Sequence, residues 1–176
     1  VLVALGASGC ARERASTGCN DDAGVPVDPA LLAFLSRARA AHHAADAHEA
    51  RNDLAAAEKE LEAVVDGALP PQKDAPEVRE VLADSLARLA ELRARRNDFK
   101  AAERDIERGL GLVPEPSYFR GHLVEVRGLM EERRSKALEA AGDQAGASGA
   151  RERALAAFQE AMRIQNDVIQ RAAPER

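Results

Sequence analysis

Trp is absent from the 176 residues, and Tyr and Phe together number five. A core must therefore be built from Leu, Val and above all Ala, side chains small enough to let helices approach closely. Only two Cys are present, Cys10 and Cys19. Both precede the periodic part of the chain, so neither is expected to staple the fold or build a metal site. Positive charge is not in excess: 25 Lys and Arg against 30 Asp and Glu give a net −5. Without a field to attract phosphate, nucleic acid is not an expected partner. No apolar run is long enough to span a bilayer. Ser85, Ser117, Ser135 and Ser148 lie in no nucleophile motif. The glycine-rich residues 142–149 neither follow a strand pattern nor precede Gly-Lys-Ser/Thr, so a phosphate cradle is not expected. The reading is of a non-catalytic protein that needs no cofactor.

What the chain does contain is a duplication. Arg51-Asn52-Asp53-Leu54-Ala55-Ala56-Ala57-Glu58-Lys59-Glu60-Leu61-Glu62 returns as Arg96-Asn97-Asp98-Phe99-Lys100-Ala101-Ala102-Glu103-Arg104-Asp105-Ile106-Glu107. A period of this size is the signature of stacked helical hairpins.

The first ten residues, VLVALGASGC, have the apolar and small-residue composition of the end of an export signal. Ala7-Ser8-Gly9-Cys10 is similar to a bacterial lipobox, with Ala7 where Leu is usual. That likeness implies acylation at Cys10, a periplasm-facing outer-membrane lipoprotein, and a membrane link through the lipid alone. A cleaved signal, or a Cys10–Cys19 disulfide in an oxidising envelope, is the other reading of this end. Residues 11–27 have no periodicity and are expected to be a tether.

The folded part is expected over residues 28–173. Asp28-Pro29 pairs an N-cap residue with Pro at the first helical position, opening a helix to about Ala50. Asn52 or Asp53 caps a second helix with Leu54, Ala57, Leu61, Val64 and Val65 on one face. Asp74-Ala75-Pro76-Glu77 has a capping-box pattern before a third helix with Val78, Leu82, Leu86, Leu89 and Leu92 along a stripe. Asn97-Asp98 opens a fourth, ending before Pro114, and Pro116-Ser117 a fifth, with Gly121 and Gly128 as points of close contact. Residues 142–149 are expected to be a flexible connection. A last helix, capped near Ser148, is expected from about Ala150 to Ala172. The fold class is all-α, an array of about three antiparallel helix hairpins.

These residues resemble the tetratricopeptide repeat. Asn97-Asp98-Phe99, Ala102, Ile106 and Pro114 match its turn, its small crossing residue and its closing Pro. Asn52-Asp53-Leu54, Ala57, Leu61 and Pro70 match approximately, and the third unit less well. The period of 45 departs from the family's 34 or so. The resemblance implies an α-solenoid whose first helices line an inner groove for a protein or peptide. In that register Arg39, His42, Asp46 and Glu49 of the first hairpin and Asp84, Glu91 and Arg95 of the second face the guest, with Ala87 and Ala94 between them. By the same resemblance, envelope proteins of this kind assist assembly of larger machines.

Two other readings belong to different classes. His42, Asp46 and Glu49 share one helix face, with His43 and His48 nearby, which could serve a small ligand or a zinc-like metal. Alternatively the apolar residues Ile164, Val168 and Ile169 dock onto another copy, making a self-associating module.

Overall fold

The computed structural model describes residues 28–173. The apolar start, the expected acylation site at Cys10, Cys19 and the whole of the expected tether, residues 11–27, lie outside the described residues. Six helices follow one another: α1 (Pro29–Glu49), α2 (Leu54–Val65), α3 (Pro76–Arg95), α4 (Phe99–Leu112), α5 (Tyr118–Ala140) and α6 (Gln144–Ala172). The described residues contain no strand, and their fold is all-α.

The helices pair in chain order as α1/α2, α3/α4 and α5/α6, and α3 also packs on α1, α2 and α5. Within the last pair, Ser135 reaches Ala147, Glu131 reaches Arg153, and Gly128 lies under Phe158. Numbers fall on one helix as they rise on the other, so the pair is antiparallel. Between α1 and α3 the contacts run the other way: Asp28 just before α1 meets Gln72 ahead of α3, His42 meets Ser85, and Glu49 meets Arg95. These first helices are parallel neighbours offset by about one repeat.

A turn joins the two helices of each pair, and the three turns share one geometry at 45-residue spacing. Asn52, Asn97 and Gly142 have φ of 59°, 64° and 84°. This left-handed region suits Asn and Gly, the residues that close a helix most cheaply. The next residue, Asp53, Asp98 or Asp143, donates its N–H to the carbonyl of His48, Arg93 or Leu138, each at 2.9 Å. Its carboxylate then caps the following helix by accepting from Ala56, Ala101 or Gly146. One short Asn/Gly-Asp dipeptide thus ends one helix and starts the next.

The third turn corrects two expectations. Residues 144–149 are helical rather than a flexible connection, and α6 is capped by Asp143, not near Ser148. Composition argues against a helix there, because Gly146 and Gly149 weaken it. The cap and the packing of Ala147 and Ala150, both fully buried, outweigh that cost. The capping box expected at Asp74 does not form: Ala75 occupies the N-cap position without a side-chain bond, and the helix begins on Pro76.

Burial follows the same period. Ala38, Ala83 and Gly128 are buried, as are Ala45, Ala90 and Ser135, and Ala57, Ala102 and Ala147. At each of these nine positions a small residue lets two helices meet. Larger side chains fill the space between pairs: Phe34, Val64, Val78 and Leu82 in one cluster, and Ile106, Val113, Leu123, Val126 and Met130 in another. Arg93 ties three helices together by bonding Asp105 of α4 and Glu62 of α2, the latter at 2.6 Å. Asp105 is buried, so this pair is shielded from the solvent that weakens surface ion pairs.

Candidate functional site

The residues expected to face a guest lie on α1 and α3, and the structure divides them. His42, Asp46 and Glu49 do share one face of α1, but that face lies against α3. Arg88 bonds Asp46, and also Glu49 at 2.6 Å, while Arg95 bonds the second oxygen of Glu49. The two carboxylates are thereby held by two guanidinium groups, and Arg88 holds Asp46 below the usual carboxylate range through that hydrogen bond.

His42 is part of the same seam. The Ser85 hydroxyl gives its one proton to the Val81 carbonyl at 2.8 Å, so His42 Nε2 acts as the donor across its own 2.8 Å contact with Ser85 Oγ. Burial lowers the imidazole pKa, and Arg88 and His43 lower it further against the pull of Asp84 and Asp46. Asp84 is half-buried and Arg39 exposed. Among the described residues no group of three or more His, Cys, Asp and Glu is placed to hold a metal ion. His42, Asp46 and Glu49 are instead engaged by Ser85, Arg88 and Arg95.

Sequence reasoning missed Arg88. It stands 42 residues after Asp46 and 39 after Glu49, close to one period. Parallel first helices place residues one period apart side by side, so opposite charges at that separation were the available signal.

Glu91 and Arg95 lie further along α3, where the opposing helix is α5. With Ala94, Val126, Leu129, Met130 and Arg133 they line a cleft of about 260 Å³. Its floor is apolar and its rim carries one carboxylate and two guanidinium groups. Burial pushes the Glu91 carboxyl above the usual range, with Glu49 and Glu125 adding to the effect and His122 and Arg88 opposing it. His122 is half-buried and stacks on Tyr118 with ring centroids 6.0 Å apart. Leu129 and Arg133 were not among the expected site residues. Their role depends on how α5 sits on α3, and α5 lacks the sequence match that aligns the first two pairs.

No family model, no curated protein and no solved structure matches this chain.

Proposed function

We propose that this protein is a non-catalytic interaction scaffold, built of tetratricopeptide-like helix pairs, that holds a peptide or protein partner against its first-helix face. The observation that carries the reading is the α3–α5 cleft, where an apolar floor of Val126, Leu129 and Met130 is rimmed by Glu91, Arg95 and Arg133. An extended segment can lay an apolar side chain on that floor and meet the rim charges with its own polar groups. Adjacent first helices supply such a surface as a by-product of stacking. The α1 part of the expected groove acts instead as a brace: its charges are paired with α3 and hold the wall of the cleft in place.

The residues before the fold support an anchored scaffold. Acylation of Cys10 would hold the helices at a bacterial envelope membrane, facing the periplasm, where assembly of an envelope complex is the role the resemblance implies. Detergent partitioning of the protein after export, compared with its Cys10→Ser variant, tests the anchor.

A displayed peptide library tests the cleft. Selected peptides are expected to lose at least about tenfold in affinity on Leu129→Glu or Arg133→Glu, as substitutions at the centre of an interface do. They are expected to bind His43→Ala unchanged. Equal affinity for all four proteins would place the binding surface elsewhere.

A further inference from the structure

Among the described residues one side of the last helix is open, and the earlier helices indicate what kind of element belongs there. Val65 on α2 packs against a cluster that includes Val78 and Leu82 of α3, and Leu110 on α4 against one that includes Leu123 and Val126 of α5. Each second helix is thus covered by the first helix of the next pair. Leu155 stands one 45-residue step beyond Leu110, and among the described residues no element follows α6. Leu155 is 59% exposed, while Met162 and Ile169, seven and fourteen residues further on, are 58% and 66% exposed. Seven-residue steps keep all three on nearly the same side of the helix. Ile164, expected from sequence to point outward, instead packs toward Val124, Ala157 and Ala161.

Exposed Gln159 and Asn166 stand between the three apolar residues. Along the helix the stripe reads Leu155, Gln159, Met162, Asn166, Ile169: apolar, amide, apolar, amide, apolar. It carries no charge, and its order is the same in both directions. Arg151, just before it, is paired with Glu139.

We infer that this stripe is a two-fold interface with a second copy of the chain, in which α6 packs antiparallel on the partner's α6 about Met162. A two-fold contact brings the same patch from both subunits together, so the patch must be its own complement. An antiparallel pairing centred on Met162 sets Leu155 across from Ile169 and brings Gln159 beside Asn166. Amides both donate and accept, so they bond across such an axis without the repulsion that like charges would suffer. A groove of about 480 Å³ along the same helix, lined by Phe158, Met162, Gln165 and Asn166 among others, gives the partner's side chains a place to seat. A single helix pair buries little area by the standard of stable dimers, so association is expected at about micromolar concentrations.

Sedimentation velocity on the full chain, from about one to several hundred micromolar, is the test. A monomer–dimer equilibrium is expected. Met162→Glu sets two carboxylates against each other and is expected to raise the dissociation constant at least about tenfold, with the helical circular dichroism signal unchanged. His43→Glu, on α1, is expected to dimerise like the parent. In a Cys10→Ser, Cys19→Ser chain, Met162→Cys is expected to crosslink to itself on oxidation. Leu155→Cys is expected to crosslink to Ile169→Cys when the two are mixed. A monomer at every concentration, dimers indifferent to Met162→Glu, or a Met162→Cys chain that fails to crosslink would each overturn the inference. The first of these would assign the stripe to a helix of a different partner.

Discussion

Ser135 donates its hydroxyl to the carbonyl oxygen of Ala147 at 2.9 Å, across the α5–α6 pair. One period earlier, Ala90 and Ala102 share a single apolar cluster, as do Ala45 and Ala57 one period before that. Thus the third pair keeps the close approach of the first two, although little of the repeated motif survives there apart from Asp143, Ala147 and Glu152.

Because Ala102 and Ala147 are both fully buried at the same position of their helix pairs, they should respond alike to added bulk. Ala102→Leu and Ala147→Leu are each expected to cost about 1–3 kcal/mol by overpacking. Urea unfolding measures both. A loss confined to Ala102 would mean that the third pair has slack the first two lack.

Two glycines of α4 should respond with opposite sign. A Cβ on Gly109 would lie 2.7 and 2.9 Å from the terminal carbons of Leu123, which is fully buried, whereas one on Gly111 would meet nothing within 4 Å. Gly109→Ala is expected to destabilise by about 1–2 kcal/mol, while Gly111→Ala is expected to stabilise by about 0.5 kcal/mol through helix propensity. Thermal melting of the pair separates packing from propensity.

The positive φ of Asn97 makes it sensitive to branching rather than to polarity. Asn97→Val is expected to cost about 1–2 kcal/mol because its Cβ branches clash in the left-handed region. Asn97→Gly is expected to be close to neutral, as Gly142 occupies the equivalent position. Equal stability of the Val and Gly variants in urea would contradict the turn geometry.

His42 gives the α1–α3 seam a pH dependence. Its pKa is lowered on folding from 6.5, chiefly by burial, so the unfolded chain takes up the proton more readily than the folded one. The contribution to stability is therefore complete above about pH 6.5 and is lost as pH falls from there toward the lowered folded-state value. Melting temperatures between about pH 7 and pH 5 should fall less steeply in His42→Gln, which keeps a donor for Ser85 but does not titrate in that range. Parallel curves for parent and variant would show that His42 takes up its proton equally well in the folded and unfolded chains, against a pKa lowered by folding.

Much of the architecture was legible in local residues. The Asn-Asp dipeptides, the buried Ala57 and Ala102 and the Pro breaks announce helix pairs at a 45-residue step, because turn chemistry and side-chain size act over a few residues. The α6 start was not legible: a segment rich in Gly and Ser reads as loose until Asp143 caps it and α5 offers a surface on which to pack. Of the expected groove, the shared face of His42, Asp46 and Glu49 followed from helical spacing, but whether that face was open did not. Arg88 reaches it only because α1 and α3 lie side by side, an arrangement set by Ala38, Val78 and Leu82 in the core between the pairs.

The sequence alone determined that this is a helical chain with a repeated turn, since capping, left-handed Asn and alanine-sized contacts are properties of short segments. Tertiary structure decided which charged face was paired between helices, which cleft stayed open, and which side of α6 has no cover among the described residues. Those outcomes depend on how whole helices stack, and no window of neighbouring residues contains that information.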